Sequence, residues 1–480
     1  MYREPARHAV DFCLIRRDAT YHLFHIRGER GVLVRGPADW GTGEDFGHAV
    51  SSNMFDWQPC PPVLPVGLPG AWDEAKVYAP DVQEWQGVYY MTYAGLNRHF
   101  AQRIGLATSP DLYTWEKAPA NPIVTPGAWS DWNEQRPTAG RDPMLLLDPR
   151  GERHRLYYTA TMRDGRACIG MAASSDLLRW QDCGPTYVED DRSYSSLQSP
   201  YVITHDGRWY LCYSAKSPNP TPSRSAAYQR WAMVYRIAET PEGPWRRPAN
   251  HVLLDGWCCA AEHPTFDGVT YAFYIVYELV DGLFHRGTIS NPRLVSWKAD
   301  GTLVFGELEH PQTQTQPVDG ITTWRNGAGA DMQVAFGPEE TTIAAPGDSY
   351  RVSPHLHNEG GLSVQLALER GSAASLLTRS SPYARTCYLA TLDAGRQRLS
   401  LARRVGEGSA EIIQEVPALI EPGVLYHLKI VWQGPFMELF LNGELRLSRA
   451  DYTFNEGYVG FHVRGQARLR ALELQTPPRV

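Results

Sequence analysis

Five tryptophans close five copies of one short phrase, and that recurrence constrains the fold more than any other feature of the chain. The copies are GHAVSSNMFDW ending at Trp57, IGLATSPDLYTW at Trp115, IGMAASSDLLRW at Trp180, MVYRIAETPEGPW at Trp245 and HRGTISNPRLVSW at Trp297. Each reads as a strand, a turn rich in Ser, Asp, Asn or Pro, and then the indole. Upstream of each lies an aromatic strand (YHLFHIRG, VYYMTYAG, HRLYYTAT, RWYLCYSA, YAFYIVYE). Further upstream lies a third strand (DFCLIRRD, PDVQEWQG, DPMLLLDP, SPYVITHD, HPTFDGVT). A unit of three or four strands cannot bury both of its faces alone. Five in succession predict a five-bladed β-propeller, with each tryptophan filling the gap between neighbouring blades. The chain has 42 Gly and 36 Pro, as many short strands joined by tight turns require.

The repeat stops near residue 305, which sets the propeller at residues 1–305. Residues 306–334, HPQTQTQPVDGITTWRNGAGADMQ at their heart, are polar and without periodicity, so they read as a linker. From 335 to 480 apolar and polar residues alternate with period two, and LNGEL sets an Asn-Gly hairpin signal between two such runs. This half is expected to be a β-sandwich of jelly-roll, concanavalin-like type, serving as an accessory domain. The fold class is all-β.

Several function classes are disfavoured. The net charge of −7 is spread along the chain, with no basic stripe for nucleic acid. No run of 18 apolar residues is present, and no lysine-rich amphipathic helix suggests a membrane surface. The stretch MYREPARHAVDFCLI has neither an apolar h-region nor a small-residue cleavage site, so a cytoplasmic protein is expected. The eight cysteines are scattered without CxxC spacing; they read as reduced thiols, and no metal or cofactor is expected.

In a propeller the inner strands converge on one axis, so their first residues locate the chemistry. The first blade offers Asp11, the second Asp81, the third Arg141 and Asp142, the fourth Gln198, and the fifth Glu262 and His263. Pro80, Pro143, Pro200 and Pro264 set the register of these strands. Carboxylates around a funnel raise one another's pKa, which is how one carboxylic acid stays protonated beside an ionised one. Glycoside hydrolysis needs that pair. Other readings stay open: Asp11 as a turn residue, Asp142 as the structural partner of Arg141, and His263 as a core histidine.

These segments resemble the glycoside hydrolase clan of families 32, 43 and 68, and family 32 most closely. FGHAVSSNMFDWQPCPPVL is similar to that family's GHAVS segment, GRDPMLL to its FRDP motif, WEKAPANPIV to its WEKYPGNPV, and SSLQSPYVI to its WECPDLF. The resemblance implies an exo-acting glycosidase on a furanoside. Asp11 would be nucleophile or base, Asp142 the transition-state stabiliser, and position 198 the general acid. Asp81, Arg141, Glu262, His263, Trp72 and His48 are candidate substrate contacts, and the implied partner is an oligosaccharide or glycoside. The family's WMNDPNG is here only AVDFCLI, so a β-fructofuranoside and an α-L-arabinofuranoside both stay open as substrate.

An amide at position 198 cannot donate a proton. Three explanations follow: Gln198 replaces a glutamate and impairs the enzyme, Glu262 or His263 supplies the proton, or the chain has lost hydrolysis and is a carbohydrate-binding pseudoenzyme.

Overall fold

The computed structural model describes residues 1–4, 7–29, 42–190, 193–216, 231–256, 258–280, 283–318, 324–329, 331–337 and 340–478. Among them there is no helix, and the chain divides into two compact units, Met1–Val304 and Phe305–Val480.

The first unit contains a β-propeller with four separate four-stranded blades, each an antiparallel meander in chain order. Their inner strands are Arg7–Arg17, Lys76–Trp85, Arg141–Leu146 and Ser196–His205. The expected fifth blade is not a separate four-stranded sheet. Its strands Cys258–Glu262, Val269–Val280 and Leu283–Ile289 pair antiparallel in succession, with the two-residue strand Thr265–Phe266 inserted before the middle one.

The tryptophan phrase folds the same way three times, for a local reason. Ser51 Oγ accepts the amides of Asn53 and Met54, and Asn53 Oδ1 accepts those of Phe55 and Asp56. Ser109 with Asp111, and Ser174 with Asp176, repeat the pattern. Side-chain oxygens thus satisfy amides that a strand end leaves orphaned. The turn carries Met54, Leu112 and Leu177 at positive φ, and their carbonyls accept the indole N–H of Trp57, Trp115 and Trp180. Trp115 meets Phe24 of the preceding blade edge-on at 5.7 Å, and Trp245 donates to Thr186 Oγ1 of the blade before its own at 3.1 Å. The indoles therefore tie neighbouring blades together.

The second unit is built on two long strands, Thr341–Leu356 and Tyr458–Thr476. Their mutual pairing breaks between Ala345 and Ser349, opposite Gly465. Beyond the break Tyr458–Thr476 changes partner, pairing with Ala373–Ser380 on one side and with Gly360–Leu368 on the other. A strand that bends at a bulge and serves two sheets is how a sandwich turns its corner. The core between the sheets holds Leu362, Leu376, Tyr388, Leu401, Ile430, Trp432 and Phe461, all buried. The segment expected as a linker contributes two strands here. Gln314–Pro317 pairs with the end of Tyr458–Thr476, and Arg325–Gly329 pairs with Thr341–Leu356. Its residues 319–323 and 330 lie outside the described residues.

Candidate active site

Each inner strand breaks register once, and at each break one residue other than glycine takes a positive φ. They are Asp11 (32°), Ala79 (47°), Asp142 (53°), Ser199 (50°) and Ala260 (49°). Such a backbone costs about 1–3 kcal/mol per residue and concentrates at functional sites. The bulge also re-aims the side chains beside it. A proline follows in three of the strands (Pro80, Pro143, Pro200), where the broken ladder needs no amide donor.

The fifth set departs from the expected register. Its bulge falls at Ala260–Ala261, with no proline, and Pro264 lies three residues beyond. Glu262 is therefore the counterpart of Asp81, each two residues past the positive-φ position. The same count in the fourth blade makes Ser199, not Gln198, the counterpart of Asp142.

The breaks open on a small pocket of about 10 Å³ lined by Asp11, Phe12, Ala79, Pro80, Asp142, Pro143, Ser199, Pro200 and Glu262. Three carboxyl groups therefore face one space. Asp142 Oδ2 accepts from Thr159 Oγ1 at 3.0 Å and from the Ser199 amide at 3.1 Å, and it lies 3.5 Å from Arg141 Nε. All three contacts fall on that oxygen, which leaves Oδ1 for a ligand. The third of these acids is Glu262. Burial pushes its pKa well above the usual carboxylate range, and the charges of Asp81, Asp11 and Asp142 push it further.

Asp81 lies outside the cavity lining, 4% exposed, with Oδ2 accepting the Leu145 amide at 2.6 Å. Burial pushes its pKa up to about 7 against the opposing hydrogen bonds from Leu145, Gln83 and Val82. Arg141 reaches away to Gln102 Oε1 at 3.2 Å. Gln198 is half-buried, outside the lining, and its amide nitrogen lies 3.5 Å from Ser196 Oγ.

Three candidates belong to the protein interior rather than the cavity. His263 is 1% exposed, edge-on to Tyr201 at 5.6 Å, and burial lowers its pKa to about 3, so it carries no proton to give near neutrality. His48 stacks on Phe24 at 4.5 Å and shares a 3.0 Å hydrogen bond with His22. Trp72 lies over Gly95 and Gly105, where any Cβ would overlap its ring. A histidine or tryptophan near a motif carries no local mark of whether its ring turns to a core or to a cavity. Thr159 and the Ser199 amide were not foreseen. The Asp-Pro and Ser-Pro pairs at the bulges were the available signal.

Residues 13–197 match the glycosyl hydrolases family 32 N-terminal domain. An insoluble β-fructofuranosidase isoenzyme of Arabidopsis thaliana is 26% identical over 180 residues, 35% of this chain and 28% of that protein. A levanase of Bacillus sp. (strain L7) is 25% identical over 272 residues, 51% of this chain and 26% of the levanase. The chain thus spans under a third of the length of these curated relatives. Among solved structures, fructan 1-exohydrolase IIa from Cichorium intybus matches with a TM-score of 0.65 at 16% identity, covering 98% of this chain and 96% of its own. Exo-inulinase from Aspergillus awamori matches at 0.68 and 15% identity, covering 98% and 96%. These likenesses concern the fold.

Proposed function

We propose that this chain is a member of glycosyl hydrolase family 32 and an exo-acting glycosidase that removes one furanosyl unit, of β-fructofuranoside type, from the end of a glycan. In this reading Cys258–Glu262 and the strands after it close the propeller as a fifth blade, and the C-terminal unit is a jelly-roll accessory domain. The observation that carries the proposal is the convergence of Asp11, Asp142 and Glu262 on one pocket. The curated relatives, a β-fructofuranosidase and a levanase, support the furanoside class.

Asp11 is the nucleophile. One of its oxygens bonds to the anomeric carbon as the bond to the leaving oxygen breaks, and that oxygen takes the proton of Glu262. Water then adds to the anomeric carbon, gives one proton back to Glu262 and releases the Asp11 carboxylate. Asp142, fixed through Oδ2, offers Oδ1 to the sugar hydroxyls as positive charge develops on the ring. Glu262 takes the acid role because it faces the cavity with its proton held, whereas the amide of Gln198 has none to give.

The test is a release assay with sucrose, levan and inulin beside aryl β-D-fructofuranosides and α-L-arabinofuranosides. Glu262→Gln should lower rates on the natural glycosides by ~10²–10⁴-fold, and less on aryl substrates with good leaving groups. Gln198→Glu should leave them unchanged. A gain of ~10²-fold or more from Gln198→Glu, with activity retained in Glu262→Gln, would return the acid to position 198. Tight sugar binding with no release from any substrate would favour the pseudoenzyme, the reading that Gln198 itself suggests.

A further inference from the structure

The residues two places beyond the bulges are Cys13, Asp81, Met144, Tyr201 and Glu262, so the propeller repeat sets them at one level around the axis. Cys13, Tyr201 and Glu262 each feel the charge of Asp81. The Cys13 thiol is pushed up by burial and then by Asp81 and Glu262, and the Tyr201 hydroxyl by burial and then by Glu262, Asp81 and Cys13. No cation is among the groups acting on Asp81 or Glu262. Arg141 pairs with Asp142, and His263 is neutral.

We propose that Asp81 is a positioning residue that holds the proton on Glu262 instead of touching the sugar. The proposal rests on the reading of Glu262 as proton donor. Asp81 is buried and Glu262 half-buried, and two such neighbouring carboxyls with no counter-cation resist ionising together, so near neutrality they share at least one proton. The surroundings decide where that proton resides. Asp81 is clamped by the Leu145 amide and reached by Gln83, and both contacts favour its anion. Among the described residues Glu262 has no hydrogen bond or ion pair of this kind, so its anion is favoured less than that of Asp81. The pair therefore releases its first proton from Asp81, and that new charge tightens the proton on Glu262. The carboxyl that keeps its proton is the one facing the cavity.

Infrared titration of the full-length protein reads this without needing a substrate. The parent should show a protonated-carboxyl C=O band that persists through neutral pH, and Glu262→Gln should remove it. In Asp81→Asn the Glu262 band should titrate lower, by about one pH unit or more. The alkaline limb of the kcat/KM profile should move down by the same amount. In Glu262→Gln the Asp81 band should stay in place, because in the parent Asp81 ionises while Glu262 is still neutral; a fall there would mean that Glu262 ionises first and would overturn the proposal. Asp81→Ser replaces Asp81→Asn if circular dichroism shows the latter unfolded. A band removed by Glu262→Gln but unmoved by the loss of Asp81 overturns this proposal alone. Full activity in Glu262→Gln overturns the proton-donor reading as well.

Discussion

Asp81 also makes a prediction about stability. An acid whose folded pKa lies above its unfolded value favours unfolding once the unfolded chain ionises. For Asp81 the two values are about 7 and 3.8, a gap of about three units. Each unit is worth ~1.36 kcal/mol, so the residue works against folding by up to about 4 kcal/mol at neutral pH. The penalty is absent below pH ~4, grows from ~4 to ~7, and is constant above. Asn cannot ionise, and its side-chain oxygen can still accept the Leu145 amide. Relative to the parent, Asp81→Asn should therefore gain stability steadily over that window and hold the gain at higher pH. Urea denaturation in steps from pH 4 to 8, followed by circular dichroism and tryptophan fluorescence, measures the difference. The C-terminal unit lacks this residue and serves as the internal reference. A difference that stays flat from pH 4 to 8 would refute the claim that Asp81 is buried at its cost, and a variant losing stability as pH rises would reverse its sign.

His22, His25 and His48 are lowered by burial to about 4, 4 and 3. Their contribution is present above pH ~6.5 and lost as pH falls through that value towards 4, so thermal scans should show the propeller weakening across this window. His48→Ala removes the stack on Phe24 and should cost about 2–4 kcal/mol, while kcat/KM of the folded protein stays within about twofold; a large loss of activity would place His48 at the sugar after all. Asp11→Asn should abolish turnover with little change in Tm, and NMR of the first-formed sugar from the parent should show retained configuration; an inverted product would remove Asp11 from the nucleophile role. In the C-terminal unit, the buried ammonium of Lys429 reaches both Glu307 and Glu309. Lys429→Ala should destabilise that unit by about 1–3 kcal/mol, since the carboxylates it leaves are partly exposed and hydrate, and Lys429→Met with both glutamates changed to Gln should recover most of the loss.

Legibility of this protein in its sequence followed the range of the interactions involved. The Ser-x-Asp/Asn turn before each tryptophan was readable because donor and acceptor lie within three residues of each other. Asp142 was readable as a cavity residue because its Asp-Pro pair marks the bulge locally, whereas Asp11, mid-strand in Arg7–Arg17 and followed by Phe12, was readable only through the register of the repeat. The register at Glu262 was not, because Ala261 stands where the other strands carry proline, and Pro264 offered a false match. The strands at 314–317 and 325–329 were also missed. They gain order only by pairing with segments far along the chain, and alone they have no apolar face to show.

The amino-acid order by itself determined an all-β chain, a repeated blade and the pair Asp11 and Asp142, since alternation, turn chemistry and the Asp-Pro bulge act within a few residues. Only the tertiary structure decided that Glu262 joins those two carboxyls while Gln198, His48, His263 and Trp72 stay outside. Closing the propeller brings strands from opposite ends of the unit to one axis, and there burial and like charge decide which acid keeps its proton.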